Sequence, residues 1–434
     1  MKEKITIIGA GLAGCEAALY LAEKGFEIDL YEMRPAKMTA AHTSGNPAEL
    51  VCSNSLKSTR RDTASGLLKA ELKLLGCKLL PLAEACRVPA GHALAVDREA
   101  FGKLVQTELD NHPHIRLIRE EATSIPSGKC IIAGGPLSSD ALMHELQKRL
   151  GDQHLYFFDA IAPIIDSESI DRSNIYQKDR YDKGDADYLN CAFDKEEYYR
   201  FVDALICGEK RQAHEFEDDF FRSVKFHYYE NCIPIEELAR RGVDTLRHGV
   251  MRPMGLEDPK TGKKPFAVLQ LRAENRDLTA YNLVGCQTML RYPEQKRIFR
   301  LIPGLENVEF LRYGSIHRNS YLCSPQVLSS DLSLKIDKDI FIAGQLSGVE
   351  GYVESIGSGL LIAKIISEAL EILPQETILG QLWRRLIDSG SKNFQPVNAN
   401  FGLLPALESP IRDKKLKKDL LAQRSLNSLQ QFIK

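Results

Sequence analysis

Two sets of residues in this 434-residue chain have the types and spacing that chemistry requires. The first is Gly9-Ala10-Gly11-Leu12-Ala13-Gly14, a GxGxxG run followed about 20 residues later by Glu32. Gly9 permits a tight turn, Gly11 lets a backbone approach a pyrophosphate, and Gly14 lets a helix pack closely on its strand. A carboxylate at the distance of Glu32 binds a ribose hydroxyl. The second is Cys52, in Glu49-Leu50-Val51-Cys52-Ser53-Asn54-Ser55, where a short apolar step and small polar residues are surroundings that suit a reactive thiol. The first set makes cofactor chemistry the leading reading.

The elements around these residues have the order that such a site needs. Strand Ile5-Thr6-Ile7-Ile8 runs straight into the glycines and then into an apolar helix, whose free N–H groups meet an anion. A second strand, Glu27 to Tyr31, ends at Glu32, and a Thr-, Ser-, Asn- and Pro-rich loop from Arg34 to Ser65 carries Cys52. A helical pattern follows through Leu67, Leu68, Leu72 and Leu75. Strand Cys130 to Ala133 stops at Gly134-Gly135-Pro136, before a helix cap at Ser138 to Asp140.

From about Leu155 to Leu328 the chain is more aromatic and charged and has no strand-glycine-helix unit. A return strand, Asp339 to Ala343, leads to Gly344 and Gln345, then to Gly348, Gly351, Gly357 and Gly359, with an apolar helix expected over Leu360 to Leu370. The expected fold is α/β: a Rossmann-like, doubly wound parallel sheet with a large inserted α+β substrate domain. The expected boundaries are 1–154 for the first part of the dinucleotide domain, 155–328 for the insertion and 329–434 for the return segment and C-terminal helices.

Composition narrows the class. Fifty-seven Lys and Arg against 59 Asp and Glu give a net charge of −2, which argues against a surface that is a nucleic-acid sleeve throughout. Local basic stretches remain: thirteen Lys/Arg against six Asp/Glu from Arg240 to Arg300, and the run Arg412-Asp413-Lys414-Lys415-Leu416-Lys417-Lys418. No stretch approaches the roughly 20 apolar residues that span a bilayer. The first strand begins close to Met1, so no signal segment and no membrane partner are expected, and the expected location is cytoplasmic. Ten cysteines, with no CxxC pair and no His-rich spacing, argue against a metal site and for free thiols, most of them small core residues.

The chain resembles the folate- and FAD-dependent tRNA (uracil-5-)-methyltransferases. The resemblance is carried by Ile7-Ile8-Gly9-Ala10-Gly11-Leu12-Ala13-Gly14, Leu30-Tyr31-Glu32-Met33-Arg34-Pro35, the Cys52 block, Arg87-Val88-Pro89-Ala90-Gly91 and Cys232-Ile233-Pro234-Ile235-Glu236. It continues through Gly255 to Pro259, Arg300 to Leu305, Gly344-Gln345, Gly348-Val349-Glu350-Gly351-Tyr352-Val353-Glu354-Ser355 and Asn398 to Pro405, nearly the whole chain.

The resemblance implies FAD as the bound cofactor and 5,10-methylenetetrahydrofolate and NAD(P)H as co-substrates. The folate's one-carbon unit passes by way of reduced FAD to uracil C5, giving 5-methyluridine in the T-loop of tRNA. It implies a pair of reactive cysteines, Cys232 as the nucleophile at uracil C6 and Cys52 on the flavin side. A thiolate added at C6 makes C5 enolate-like and able to attack an electrophilic carbon. Glu350 and Tyr352 are candidates for the pterin, the acid on its amino-pyrimidine edge and the ring stacked on it. The 240–300 region is the candidate RNA surface, and no obligate protein partner is expected. Three alternatives remain open at this level: the same chemistry on a uridine of 23S rRNA, a flavin-dependent modification of the tRNA wobble uridine, and a non-catalytic RNA-binding flavoprotein.

Overall fold

The computed structural model describes residues 3–39, 41–150, 154–182, 186–210, 233–389 and 394–434, with 154–161 and 315–320 described by their backbone alone. β1 (Lys4–Ile8) is followed by α1 (Leu12–Glu23), which is buried along its length from Leu12 to Ala22. A helix apolar on every side is one enclosed by protein. β2 (Glu27–Tyr31) pairs parallel to β1. Next come β3 (Ser55–Ser58), α2 (Ala64–Leu74), α3 (Leu79–Ala85), β4 (Arg87–Val88), β5 (Ala93–Val96), α4 (Arg98–Asn111), β6 (Ile115–Ile118), β7 (Cys130–Ile132) and α5 (Asp140–Leu150). Thr63 caps α2 by accepting from the Gly66 amide, and Asp97 caps α4 by accepting from that of Ala100.

The chain leaves along β8 (His154–Ile161) and builds β9 (Ile164–Asp166), β10 (Ile175–Gln177), β11 (Leu189–Phe193), α6 (Lys195–Cys207), α7 (Ile235–Arg240), α8 (Thr245–His248), β12 (Ala267–Ala273), β13 (Ala280–Leu283), α9 (Tyr292–Phe299) and β14 (Phe310–Arg312). It returns along β15 (Ser315–Leu322), antiparallel to β8 from Ser315↔Ile161 to Leu322↔His154. The last elements are α10 (Ser324–Val327), β16 (Ile340–Ile342), α11 (Tyr352–Glu368), α12 (Ile378–Ile387) and α13 (Lys414–Ile433).

The first sheet has the order β16-β7-β1-β2-β6 with every pairing parallel, as expected for a doubly wound fold. The winding reverses between β1 and β7, and in such sheets the ligand crevice lies at that reversal, beyond the strands' carboxyl ends. The inserted segment forms a six-stranded antiparallel sheet, β10-β11-β12-β13-β9-β14. Two main cores follow this division: one joins residues from Ile5 to Leu146 with those from Tyr321 to Leu429, and the other runs from Ile165 to Val308.

One expectation is corrected. The helix of the return segment begins at Tyr352, not Leu360, so Gly357 and Gly359 are helical. A Cβ on Gly359 would lie 2.2 Å from the Ala13 carbonyl oxygen, so this glycine lets α11 and α1 touch backbone to backbone. Glycine is a poor helix former in isolation, and here the close approach of two buried helices overrides that preference. Among the described residues no helix is long and apolar enough to cross a membrane, and no cluster of His, Cys, Asp and Glu has a metal-holding arrangement.

Candidate active site

At the end of β1 the chain turns through Gly9 at φ +103°, where a Cβ would strike the Ala133 carbonyl oxygen and Gly134 Cα at 2.6 Å. A Cβ on Gly14 would sit 1.9 Å from the Gly9 oxygen, so α1 stacks directly on the turn. At Gly11 the nearest atom to such a Cβ is 3.9 Å away, which leaves open space beside the backbone. Leu12 and Ala13 are buried, and α1 begins with no side-chain cap, leaving first-turn amides for an anion. The crevice there is lined by Gly9, Gly11, Glu32, Arg34, His42, Glu121, Gly134 and Ser138, among others. This cradle fits the pyrophosphate of FAD. Gly344, at φ +70°, brings the return segment over α1, its Cβ direction 3.1 Å from Ala13 Cβ, while its amide donates to Ser358 Oγ at 2.6 Å. Half-buried Gln345 follows in the same turn.

Glu32 is buried, and its carboxylate accepts from the Ala10 amide at 3.1 Å, the Arg34 amide at 3.0 Å and Arg34 Nε at 2.9 Å. Burial pushes this carboxyl up, but the Arg34 hydrogen bonds and charge more than offset that and hold it below the ordinary carboxylate range. Arg34, also buried, reaches on to Glu49 Oε2 at 3.0 Å. Glu49 is the first residue of the Cys52 block and accepts from the amides of Thr43 and Ser44. A chain of charges, Glu32–Arg34–Glu49, therefore ties the nucleotide crevice to the Cys52 loop. His42, beside it, is pushed down to about 4 by burial first and the Arg34 charge second.

The Cys52 loop is clamped from both domains. Arg98, at the start of α4, donates to the Leu50 oxygen at 2.8 Å and ion-pairs with Glu274. Arg312, at the end of β14, donates to the oxygens of Val51 at 3.2 Å and Ala41 at 2.8 Å. Arg272 of β12 donates to Asn54 Oδ1 at 2.9 Å and Ser53 Oγ at 2.7 Å. The Tyr352 hydroxyl accepts from the amides of Cys52 at 2.8 Å and Ser53 at 3.2 Å. Burial, with the neighbouring Cys52 second, pushes that phenol up.

Of the nine described cysteines, seven are buried, Cys207 is exposed and Cys52 is half-buried. Burial pushes the Cys130 thiol up to about 12, and raises those of Cys15, Cys191 and Cys286 as well. Such thiols are packing residues, as the sequence led one to expect for most of them. Cys232 lies outside the described residues. Glu350 is half-buried, with Asn398 Nδ2 3.5 Å from its carboxylate. Glu354, in the first turn of α11, is buried, and among the described residues its Oε2 has no hydrogen-bond partner, while its Oε1 accepts from the Ala399 amide at 3.0 Å.

The arginines of the 240–300 stretch are largely committed within the protein. Arg240, Arg247, Arg291 and Arg297 are ion-paired with Glu237, Asp244, Glu209 and Glu294, and Arg272, Arg276 and Arg300 donate to Asn54, Arg87 and Val308. Residues that sequence reasoning missed are Arg34, Glu49, Arg98, Arg272, Glu274 and Arg312. Arg34 and Glu49 stand inside the motifs given above, whereas the other four carry no local signal for this role.

A family model described as glucose inhibited division protein A matches residues 4–372. A protein of Anoxybacillus flavithermus named Methylenetetrahydrofolate--tRNA-(uracil-5-)-methyltransferase TrmFO is 48% identical over 99% of both chains. One of the same name from Listeria monocytogenes is 48% identical over 99% of this chain and 98% of its own. Among solved structures, Aquifex aeolicus GidA in its form II crystal shares the fold, with a TM-score of 0.69, 17% identity and coverage of 99% of this chain and 73% of that one. The parallel sheet, the glycine cradle and near-full-length identity agree, and the chain belongs to the methylenetetrahydrofolate--tRNA-(uracil-5-)-methyltransferase family.

Proposed function

We propose that this chain is a cytoplasmic enzyme that forms 5-methyluridine in the T-loop of tRNA, with 5,10-methylenetetrahydrofolate as one-carbon donor and NAD(P)H as reductant. Bound FAD supplies the carriage of the one-carbon unit and the electrons that reduce it to a methyl group. Gly9 to Gly14 hold its pyrophosphate, Glu32 its ribose, and Gly344 and Gln345 close the cradle from the return segment. The Cys232 thiolate adds to uracil C6, pushing electron density onto C5, which attacks the one-carbon electrophile. A base would then take the C5 proton, the one-carbon unit would part from its carrier and be reduced to methyl by the electrons that FAD supplies, and expulsion of the Cys232 thiolate would restore the C5–C6 double bond. Cys52 works on the flavin side, shielding the carried carbon or removing that proton. Tyr352 and the three arginines fix its loop, and Glu350 serves the pterin. Residues 155–328 present the base, and residues 1–154 and 329–434 hold the cofactor.

The observation that carries this reading is the clamp: a half-buried thiol whose loop is tied to the nucleotide crevice by Glu32–Arg34–Glu49 and to the inserted domain by Arg272. The test is incubation of the purified protein with FAD, NADPH, methylenetetrahydrofolate labelled in its one-carbon unit, and unmodified tRNA and rRNA transcripts. Label in 5-methyluridine of the T-loop supports it. Label in rRNA alone moves the substrate, and absence of label from both refutes it.

A further inference from the structure

A second cleft, of about 390 Å³, opens between α2 and α13 and is lined by Thr59, Arg61, Lys69, Lys73, Glu84 and Gln430. It lies next to the reactive loop along the chain. β3 leads from Ser55 to Ser58, about 10 Å at 3.3 Å per residue, and Thr59 is at the cleft. It is close in space too: Lys57 Nζ is 4.0 Å from Glu354, two residues after Tyr352, and Lys69 donates to the Ser58 oxygen at 2.9 Å.

α13 extends this surface. Its C-terminal half is docked, with Leu421, Ala422, Ser425, Leu426 and Leu429 buried and Ser425 donating to the buried Glu71 of α2 at 2.6 Å. Its N-terminal half buries nothing: every residue from Lys414 to Leu420 is exposed. Asp413 is occupied as the helix cap, accepting from the amides of Lys415 and Leu416. Among the described residues none of Lys414, Lys415, Lys417 and Lys418 makes an ion pair. Leu426 and Gln430 of the same helix line the cleft, so Lys414 to Lys418 lie about 12–18 Å before Leu426 along α13 at 1.5 Å per residue. Lys418 Nζ lies 6.0 Å from the centre of the Phe401 ring. Four lysines without an acidic partner among the described residues, on a helical segment that buries nothing, in a chain of net charge −2, are the footprint of a polyanion partner.

We propose that the α2–α13 cleft and the lysines of α13 bind the phosphate backbone of the substrate RNA and lead it to the Cys52 loop. Seven of the nine arginines of the 240–300 stretch have partners within the protein among the described residues. Only the identity of the RNA as tRNA rests on the function proposed above.

The test compares the wild type with K414A/K415A/K417A/K418A and with R61A, all exposed positions at which alanine is tolerated. Affinity for an unmodified tRNA transcript is measured from 50 to 300 mM salt, alongside flavin content and the KM for methylenetetrahydrofolate. The expected result for the quadruple variant is at least tenfold weaker tRNA binding, and a plot of log affinity against log salt flatter by about 3, at roughly 0.7–0.9 per phosphate contact. Flavin content and the folate KM stay unchanged. Wild-type affinity and slope in the variants overturn the proposal, as does a wild type that binds neither the tRNA nor an rRNA transcript. A raised folate KM with unaltered RNA binding also overturns it, assigning the cleft to the anionic tail of the folate. Loss of RNA binding in the variant, with no 5-methyluridine formed even by the wild type, upholds the surface and refutes the reaction.

Discussion

The Tyr352 hydroxyl accepts a hydrogen bond from the Cys52 amide at 2.8 Å across 300 positions of sequence. The residue that opens the long helix of the return segment thereby fixes the backbone of the Cys52 loop near the start of the chain. The same oxygen takes the Ser53 amide, so two adjacent N–H groups converge on one phenol.

Tyr352→Phe removes that acceptor and keeps the ring. Each N–H left unpaired costs about 1–3 kcal/mol, and the loop recovers part of that by shifting. The expected outcome is a fall in methyl transfer of about tenfold or more with bound flavin retained, read by single-turnover labelling of tRNA beside the absorbance of the bound flavin. Unchanged turnover would remove Tyr352 from the positioning of Cys52.

Cys232→Ala is expected to abolish methyl transfer and leave the protein yellow, because the nucleophile acts on the base and not on flavin binding. Cys52→Ala is expected to lose transfer as well, while still binding tRNA with wild-type affinity. Loss of FAD from the Cys232 variant would sink the assignment.

Glu32 carries two duties, and its removal separates them. In the ligand-free protein it neutralises the buried Arg34, so Glu32→Ala leaves that guanidinium with Glu49 alone, and breaking a buried pair costs about 3–5 kcal/mol. Glu32→Gln keeps the volume and a hydrogen-bonding group. Alanine is expected to lower both the denaturation midpoint and the flavin content, glutamine chiefly the flavin content. Equal flavin retention in the wild type and both variants would deny Glu32 a role at the ribose.

The glycine run, Glu32 and the parallel strands were legible because their signals are local: a turn that only glycine enters, and a strand that ends on an acid. The Cys52 block announced itself by composition, and Glu49 and Arg34 stood within quoted blocks. Arg98, Arg272 and Arg312 were illegible for a physical reason. They bind mostly carbonyl oxygens and small polar groups of the loop, partners that any sequence offers, across 47 to 271 positions. The boundary of α11 was misread because glycines that serve helix contact look locally like glycines that serve turns.

Acid should loosen the crevice. His42 is held at about 4 against an ordinary 6.5, so between those values the unfolded chain binds a proton that the folded one refuses, and stability falls as pH drops through that window. Glu32 and Glu49 lie below the ordinary carboxylate value, so what they contribute is present above it and is lost as pH falls through their folded values. The signs agree. Denaturation midpoints should decline from about pH 6.5 downwards, and His42→Gln should flatten the upper part of that decline. A midpoint that rises on acidification would contradict the shared direction.

Two glycines of one motif should fail in different ways. A methyl group on Gly14 would lie 1.9 Å from the Gly9 oxygen, backbone against backbone, with no flexible side chain to yield. Gly14→Ala must therefore move α1 off its strand, at a cost above the usual 1–3 kcal/mol or so of overpacking, and should give little soluble protein. Gly11 has an extended backbone that any residue adopts, with its nearest neighbour at 3.9 Å, so Gly11→Ala should fold with a near-normal midpoint. Its methyl group would occupy the space left for the pyrophosphate, and the variant should purify colourless or bind added FAD at least tenfold more weakly. A yellow Gly11→Ala protein would show that the phosphates lie elsewhere along the crevice.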